Sequence, residues 1–187
     1  MNRCRMVFSG SGGQGVILAS IIYAEAAVLY EAKEAVQSQS YGPEARGGAS
    51  RADVIISDTI IRFPKVIAPN VLVCLSQESY NKYSHSIRPS GILLTDTHYV
   101  RTHPKAEARQ IELPMHDAVM EKIKKILVLN MCMLGAVTSL VGIVSPASIK
   151  KSLEKNIPQE ALAGNLQAFE LGMRLAAPYG VLWQNEE

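Results

Sequence analysis

The sequence is poor in cysteine, and this shortage excludes several classes of protein. The three cysteines, Cys4, Cys74 and Cys132, lie far apart, and no two of them form a C-x-x-C pair. An odd number of widely spaced cysteines makes a poor disulfide framework and a poor zinc or iron–sulfur site. We therefore expect three reduced, mostly buried thiols in a cytoplasmic protein that holds no redox cluster by itself.

Histidine is scarce as well. Among the four histidines, only His98 and His103 lie close together in sequence, and Asp96 is the one carboxylate near them. No cysteine accompanies the pair. We interpret it as part of an exposed loop, and the sequence predicts no metal site.

Charge of one sign is also lacking, since 19 Lys and Arg residues stand against 17 Asp and Glu residues. A nucleic-acid-binding protein would usually cluster its basic residues in a stripe, and none is present. A chain of 187 residues can bury a sizeable core. Because no linker or repeat divides it, we expect a single domain over residues 1–187. The absence of a basic stripe predicts that this domain binds no nucleic acid.

Two apolar segments raise the possibility of a membrane protein, and their composition argues against it. Glycines at 10–15 interrupt the N-terminal apolar run, which is not typical of a signal peptide. Residues 126–144 carry no charge but include Asn130, Gly135 and Thr138. We predict a helix buried against a sheet or a partner subunit, and no membrane span. We also expect the isolated chain to expose an apolar patch and form a dimer or higher oligomer.

Apolar runs alternate with helical patterns along most of the chain. This order predicts an α/β fold with a doubly wound, mostly parallel sheet, helices on both faces and a helical C-terminal tail. The predicted strands are 5–9, 34–39, 53–57, 71–76, 91–95 and 108–113. The predicted helices are 14–30, 77–86, a continuous helix over 116–144, 146–153 and 159–176.

A glycine-rich turn links the first predicted strand to the first helix. Gly10, Gly12 and Gly15 fit the pattern G-x-G-x-x-G, and Gly13 adds a further glycine. Glycines permit a tight turn, and the free N–H groups at a helix start favour an anion. The turn is therefore a candidate site for a phosphate or for a polar group of a partner, and the alternative is a purely structural turn.

A stand-alone dinucleotide-binding enzyme would make a further demand. It needs an acidic residue at the end of the second strand to hold the ribose hydroxyls. That strand ends in Gln39 and Ser40, whereas Glu34 lies at its start. The lysine of a Walker loop is also absent.

A second polar segment, 39–48, follows the second predicted strand. Ligands gather at the carboxyl ends of strands in α/β sheets, so this segment should lie beside the glycine turn. Tyr41 offers an aromatic face, Glu44 an acceptor and Arg46 a forked donor for carboxylate or phosphate.

Together the two segments resemble the gamma subunit, or gamma domain, of the 2-oxoacid:ferredoxin oxidoreductases. Segments 9–16, 40–48, 54–58, 64–66 and 130–135 carry the resemblance. The motif Ser-Tyr-Gly-Pro-Glu-Ala-Arg-Gly-Gly resembles that of the 2-oxoglutarate or branched-chain oxoacid members more closely than that of the pyruvate members.

The resemblance implies a subunit of an oxidoreductase that decarboxylates a 2-oxoacid to its acyl-CoA and reduces ferredoxin. Thiamine diphosphate, Mg and iron–sulfur clusters would then sit on alpha, beta and possibly delta subunits, and this chain would help to bind CoA. This chain would hold no cofactor firmly, and the isolated chain would be inactive. A non-catalytic docking scaffold and the indolepyruvate oxidoreductase small subunit remain alternatives.

Asn130, at the start of an apolar helical stretch, is predicted to tie that helix to a glycine loop or to serve as an ordinary core amide. The candidate site residues are Gly10, Ser11, Gly12, Gly13, Gln14, Gly15, Ser40, Tyr41, Gly42, Pro43, Glu44, Arg46, Gly47, Gly48 and Asn130.

Overall fold

A computed structural model describes residues 3–40, 49–104 and 107–183, and its centre is a six-stranded sheet. The strands are β1 (Arg3–Gly10), β2 (Glu34–Ser40), β3 (Ser50–Ser57), β4 (Val71–Cys74), β5 (Ile92–Asp96) and β6 (Arg109–Leu113). The helices are α1 (Val16–Glu31), α2 (Gln77–Tyr83), α3 (Met115–Lys122), α4 (Leu129–Val141), α5 (Pro146–Asn156) and α6 (Gln159–Ala176).

The sheet is mostly parallel, as the sequence predicts, with the order β2-β3-β1-β4-β5-β6. The pairs β1–β4, β4–β5 and β5–β6 are parallel, whereas β3 runs antiparallel to both of its neighbours. Only the nine residues 41–49 connect β2 to β3, and a parallel crossover needs about a dozen or more. β3 therefore inserts between β1 and β2 in the opposite direction.

Helices cover the two faces of the sheet unequally. One face carries the larger core, where α1 and α4–α6 pack over apolar side chains such as Met6 and Phe8. The other face carries a smaller core, which Tyr80 of α2, Val66 and Val100 cover. The predicted doubly wound architecture is confirmed, although the C-terminal helices belong to the layer on the larger core rather than to a separate tail.

The prediction of a continuous helix over 116–144 is wrong, because the helix is interrupted between the end of α3 and the start of α4. Lys124 adopts a left-handed conformation with φ of 60°, and a short 3-10 turn covers Ile126–Val128 before α4 begins. Every residue of α4 except Ser139 is buried inside this chain. The expectation that 126–144 forms an exposed apolar patch is also wrong, since mainly Leu127, 86% exposed, reaches the surface.

Helices α4 and α6 approach each other through two glycines. A Cβ atom placed on Gly135 would collide with the backbone carbonyl of Phe169, and one placed on Gly172 would collide with that of Cys132. The apolar α4 is thus enclosed by α6 and the sheet. Within the part of the chain that the structure describes, no helix combines the length and apolarity that a bilayer crossing requires.

The three cysteines are buried thiols outside any disulfide, as predicted. Burial raises the pKa of Cys132 to about 12, which leaves no thiolate for nucleophilic attack near neutral pH. We therefore expect a thiol reagent such as DTNB to label none of them promptly in the native chain and all three after denaturation. Absorbance at the reagent's product band measures both reactions. Prompt labelling of one thiol in the native state would contradict the burial of that residue.

Candidate functional site

The carboxyl ends of the parallel strands and the start of β3 meet at one edge of the sheet. Gly10 at the end of β1 pairs with Ser50, and Ser40 at the end of β2 pairs with Arg51. After β1 the chain crosses one face as α1, and after β4 it covers the other face as α2. The point between β1 and β4 is therefore the topological switch point, where α/β sheets form their ligand crevice.

Gln14 fixes the shape of the glycine turn at this crevice. Its Oε1 accepts a hydrogen bond from the Ser11 N–H at 2.7 Å, and its Nε2 donates to the Leu75 carbonyl at 3.0 Å. A Cβ atom on Gly10 would lie 2.5 Å from that Oε1, so a side chain at position 10 would displace the brace. The side-chain amide of this candidate site residue thus joins the glycine turn to the end of β4.

Gly12 and Gly13 form the open part of the turn. A Cβ atom on either residue would meet no described atom within 4 Å, and Gly13 has a φ of +85°. Gly15, with φ of 70°, precedes α1, whose first turn carries no acidic residue and receives no side-chain cap. Helix N–H groups without a cap provide a partial positive charge. The turn and the helix start can therefore hold an anion.

Asn130 ties α4 to this turn, which is one of the two alternatives that the sequence offers. Its Nδ2 donates to the Gly15 carbonyl at 3.3 Å across 115 positions of sequence. A Cβ atom on Gly15 would lie 2.8 Å from the Asn130 Cγ, so glycine is needed on both conformational and steric grounds. The Oδ1 of Asn130 is buried and has no hydrogen-bond partner among the described residues.

The predicted loop residues from Tyr41 to Gly48 lie outside the described residues, but the chain on either side of them is defined. Ser9 Oγ donates to the Ser50 carbonyl at 2.9 Å, and the Ala49 N–H donates to Glu78 Oε1 at 3.2 Å. The described chain therefore ends at Ser40 and resumes at Ala49 on the edge of the sheet that carries the glycine turn. Its site roles stay predictions.

Sequence reasoning missed the start of α2 as the opposite wall of the crevice. Ser76 caps this helix by accepting from the Ser79 N–H, and Ser79 Oγ accepts from the Ser76 N–H in return. Glu78 follows in the first turn and contacts Ala49. The sequence predicts the strand over 71–76 that leads into this wall. Only the strand order in the structure shows that this strand, β4, lies beside β1.

The fold and the crevice define an α/β domain with a glycine turn at the topological switch point of its sheet. The family model described as pyruvate ferredoxin/flavodoxin oxidoreductase matches residues 5–175, so the chain belongs to that family. The resemblance found in the sequence is thereby confirmed, and a stand-alone dinucleotide-binding enzyme is no longer a needed alternative.

Three known proteins show the extent of the similarity. The 2-oxoglutarate synthase subunit KorC of Methanocaldococcus jannaschii is 48% identical over 90% of this chain and 91% of its own length. The gamma subunit of a keto/oxoacid ferredoxin oxidoreductase from Geobacter sulfurreducens superposes with a TM-score of 0.88 at 37% identity, over 96% of this chain and 99% of that one.

The third is the 2-oxoglutarate:ferredoxin oxidoreductase of Magnetococcus marinus, solved with 2-oxoglutarate, coenzyme A and succinyl-CoA bound. It superposes with a TM-score of 0.85 over all of this chain and 32% of its own, at 22% identity. This likeness shows a shared fold. Relatives of this chain are thus subunits or domains of multi-subunit 2-oxoacid oxidoreductases.

Proposed function

We propose that this chain is the gamma-type subunit of a 2-oxoglutarate:ferredoxin oxidoreductase and that its glycine-turn crevice helps to bind CoA. The complex would convert the 2-oxoacid and CoA into acyl-CoA and CO₂, passing two electrons to ferredoxin. The 48% identical relative, described as a 2-oxoglutarate synthase subunit, supports this choice of oxoacid. The crevice between β1 and β4 carries the proposal for this chain itself.

CoA is a polyanion, and the crevice suits a phosphate. The open turn at Gly12 and Gly13 lets a phosphate oxygen approach the backbone, and the uncapped start of α1 supplies N–H groups and a favourable dipole. Arg46, with Tyr41 and Glu44, would complete the wall of the CoA channel from a segment that begins and ends beside the turn. The role of this chain would be to position CoA so that its thiol reaches the acyl group.

Redox chemistry would reside on the alpha, beta and possibly delta subunits, where thiamine diphosphate, Mg and iron–sulfur clusters would be held. The three cysteines of this chain are buried at separate places, on β1, β4 and α4. Among the described residues, no three cysteines come within ligating distance of one another. This donor set does not fit a cluster, which supports a division of labour between subunits.

Partner subunits also need a docking surface, and the exposed apolar side chains of the loop from 58 to 70 support its assignment to that role. Ile60, Phe63 and Ile67 are 72%, 57% and 76% exposed. The loop is held by Asp53, whose Oδ2 accepts from the Val66 N–H at 3.0 Å, and by Arg51, which donates to the Val66 carbonyl at 2.6 Å. An ordered loop with outward apolar side chains is typical of a protein interface. If the isolated chain forms the expected homo-oligomer, this loop is the surface through which we propose that its copies associate.

Reconstitution of the complex with and without this chain tests the proposal. We expect ferredoxin reduction to need the chain, CoA and a 2-oxoacid together, with 2-oxoglutarate preferred over pyruvate, 2-oxoisovalerate and indolepyruvate. The complex assembled without the chain is the control. Preference for indolepyruvate would favour the small-subunit alternative. Full activity without this chain would overturn the proposal.

A further inference from the structure

Two histidines and an aspartate come together at the same sheet edge, away from the glycine turn. His98 follows the end of β5, and His116 and Asp117 lie in the first turn of α3, which follows β6. The two imidazole rings stack with centroids 3.6 Å apart and planes 21° apart. Asp117 Oδ1 lies 3.0 Å from Nδ1 of His98 and 2.8 Å from Nδ1 of His116. The sequence analysis paired His98 with His103 instead, because 18 positions separate it from His116.

A buried carboxylate holds the backbones of both histidines in place by accepting hydrogen bonds from their N–H groups. Asp96 is fully buried, and its Oδ1 accepts from the His98 N–H at 2.9 Å while its Oδ2 accepts from the His116 N–H at 2.7 Å. Tyr99 packs edge-on against both rings, with centroids 4.8 and 5.2 Å away. The two backbones that carry the cluster are therefore fixed by the fold itself, whereas the side chains of His98 and Asp117 are 44% and 61% exposed and that of His116 is 17% exposed.

The spacing of the three donor atoms suits one small cation. One ring nitrogen of each histidine and a carboxylate oxygen of Asp117 lie within 4.8 Å of one another, and Asp117 Oδ1 lies 2.8 and 3.0 Å from the two Nδ1 atoms. Two ligands bound to one ion at about 2.1 Å are about 3.0–3.4 Å apart in octahedral or tetrahedral geometry. Because the ring planes are only 21° apart, one imidazole must rotate out of the stack for both Nδ1 lone pairs to meet at one ion, and the half-exposed His98 side chain has room to do so. Two imidazoles with one carboxylate favour a transition metal over Mg²⁺ or Ca²⁺, which prefer oxygen.

We infer that His98, His116 and Asp117 form a binding site for a divalent transition-metal ion of the zinc class. The ion takes Nδ1 of each imidazole, with the ring proton on Nε2, and one oxygen of Asp117. Water or a donor atom of a partner subunit fills the remaining position. Asp96 acts through the two histidine backbones and is a positioning residue, and it ties β5 to α3 beside the ion.

Cobalt titration of the full chain after treatment with a chelator tests this site. We expect one Co²⁺ per chain, with visible d–d absorption that zinc competes away and without the charge-transfer band of a thiolate. The His116→Ala and Asp117→Asn variants should each lose about 10–100-fold in affinity, since even residues behind the ligands cost that much. Zinc should raise the melting temperature of the unaltered chain and leave those variants unshifted.

Matched controls come from His85→Ala and His103→Ala, which remove exposed histidines outside the cluster. Both should bind Co²⁺ as the unaltered chain does. The metal-free melting temperature of Asp117→Asn checks that its fold is intact. Absence of stoichiometric binding, equal affinity in the His116→Ala variant, or equal losses in the control variants would each overturn the inference. Because the isolated chain is measured, failure here leaves the CoA proposal untouched.

Discussion

Replacing Gly172 by alanine should destabilise the chain by about 3 kcal/mol, at the upper end of the usual cost of overpacking a core. The added Cβ would meet the carbonyl group of Cys132, with its carbon 2.7 Å away, and the Ala136 nitrogen at 2.9 Å. Both neighbours are backbone atoms, so no side-chain rotation relieves the collision and α4 must separate from α6. For a domain of this size the melting temperature should fall by about 10 °C, measured by circular dichroism.

Gly164 in the same helix provides the matched control. A Cβ atom placed there meets no described atom within 4 Å, so Gly164→Ala should gain about 0.5–1 kcal/mol from helix propensity alone. The pair separates crowding between helices from the backbone entropy that glycine loses on folding. Equal midpoints of urea unfolding for the two variants would show that α4 and α6 do not pack through position 172.

Local pattern predicted the elements of the fold better than it predicted their connections. The last helix was predicted at 159–176 and is found at Gln159–Ala176, because its apolar spacing and Pro158 act within one segment. The break at Lys124 was missed, since a lysine in a left-handed conformation leaves no mark in composition. The antiparallel β3 was missed as well, since its apolar run is compatible with either direction.

The candidate site divides in the same way. The glycine turn was recognisable because strand, glycines and helix start follow one another within a few residues. Gln14 was predicted only as a member of the site, and the contact of its side-chain amide with Leu75 needs a partner that only the neighbouring β4 supplies. The contact of Asn130 with Gly15 crosses 115 positions, and the sequence could offer it only as one alternative. Long-range pairs depend on strand order, which periodicity does not encode.

A negative charge at position 13 should reduce CoA binding strongly if the glycine turn holds a phosphate. The φ of +85° at Gly13 is in the region that Asp and Asn tolerate best among non-glycine residues, and a Cβ there meets no described atom. Gly13→Asp should therefore fold. Its carboxylate would stand where we propose a phosphate. We expect CoA affinity of the assembled complex, measured by calorimetry, to fall about 10–100-fold, comparable to losing one charge-assisted hydrogen bond.

Gly13→Asn isolates the charge, because it matches Asp in size and backbone preference. We expect this variant to bind CoA much more tightly than Gly13→Asp, and the difference between them to shrink as salt is raised. Equal weakening in both variants would mean that shape rather than charge matters at the turn. If both variants keep their fold but fail to co-purify with partner subunits, so that no complex forms, the turn is a docking surface and the scaffold alternative is favoured. The two variants thus separate an anion site from a structural turn by one atom of difference, an amide nitrogen in place of a carboxylate oxygen.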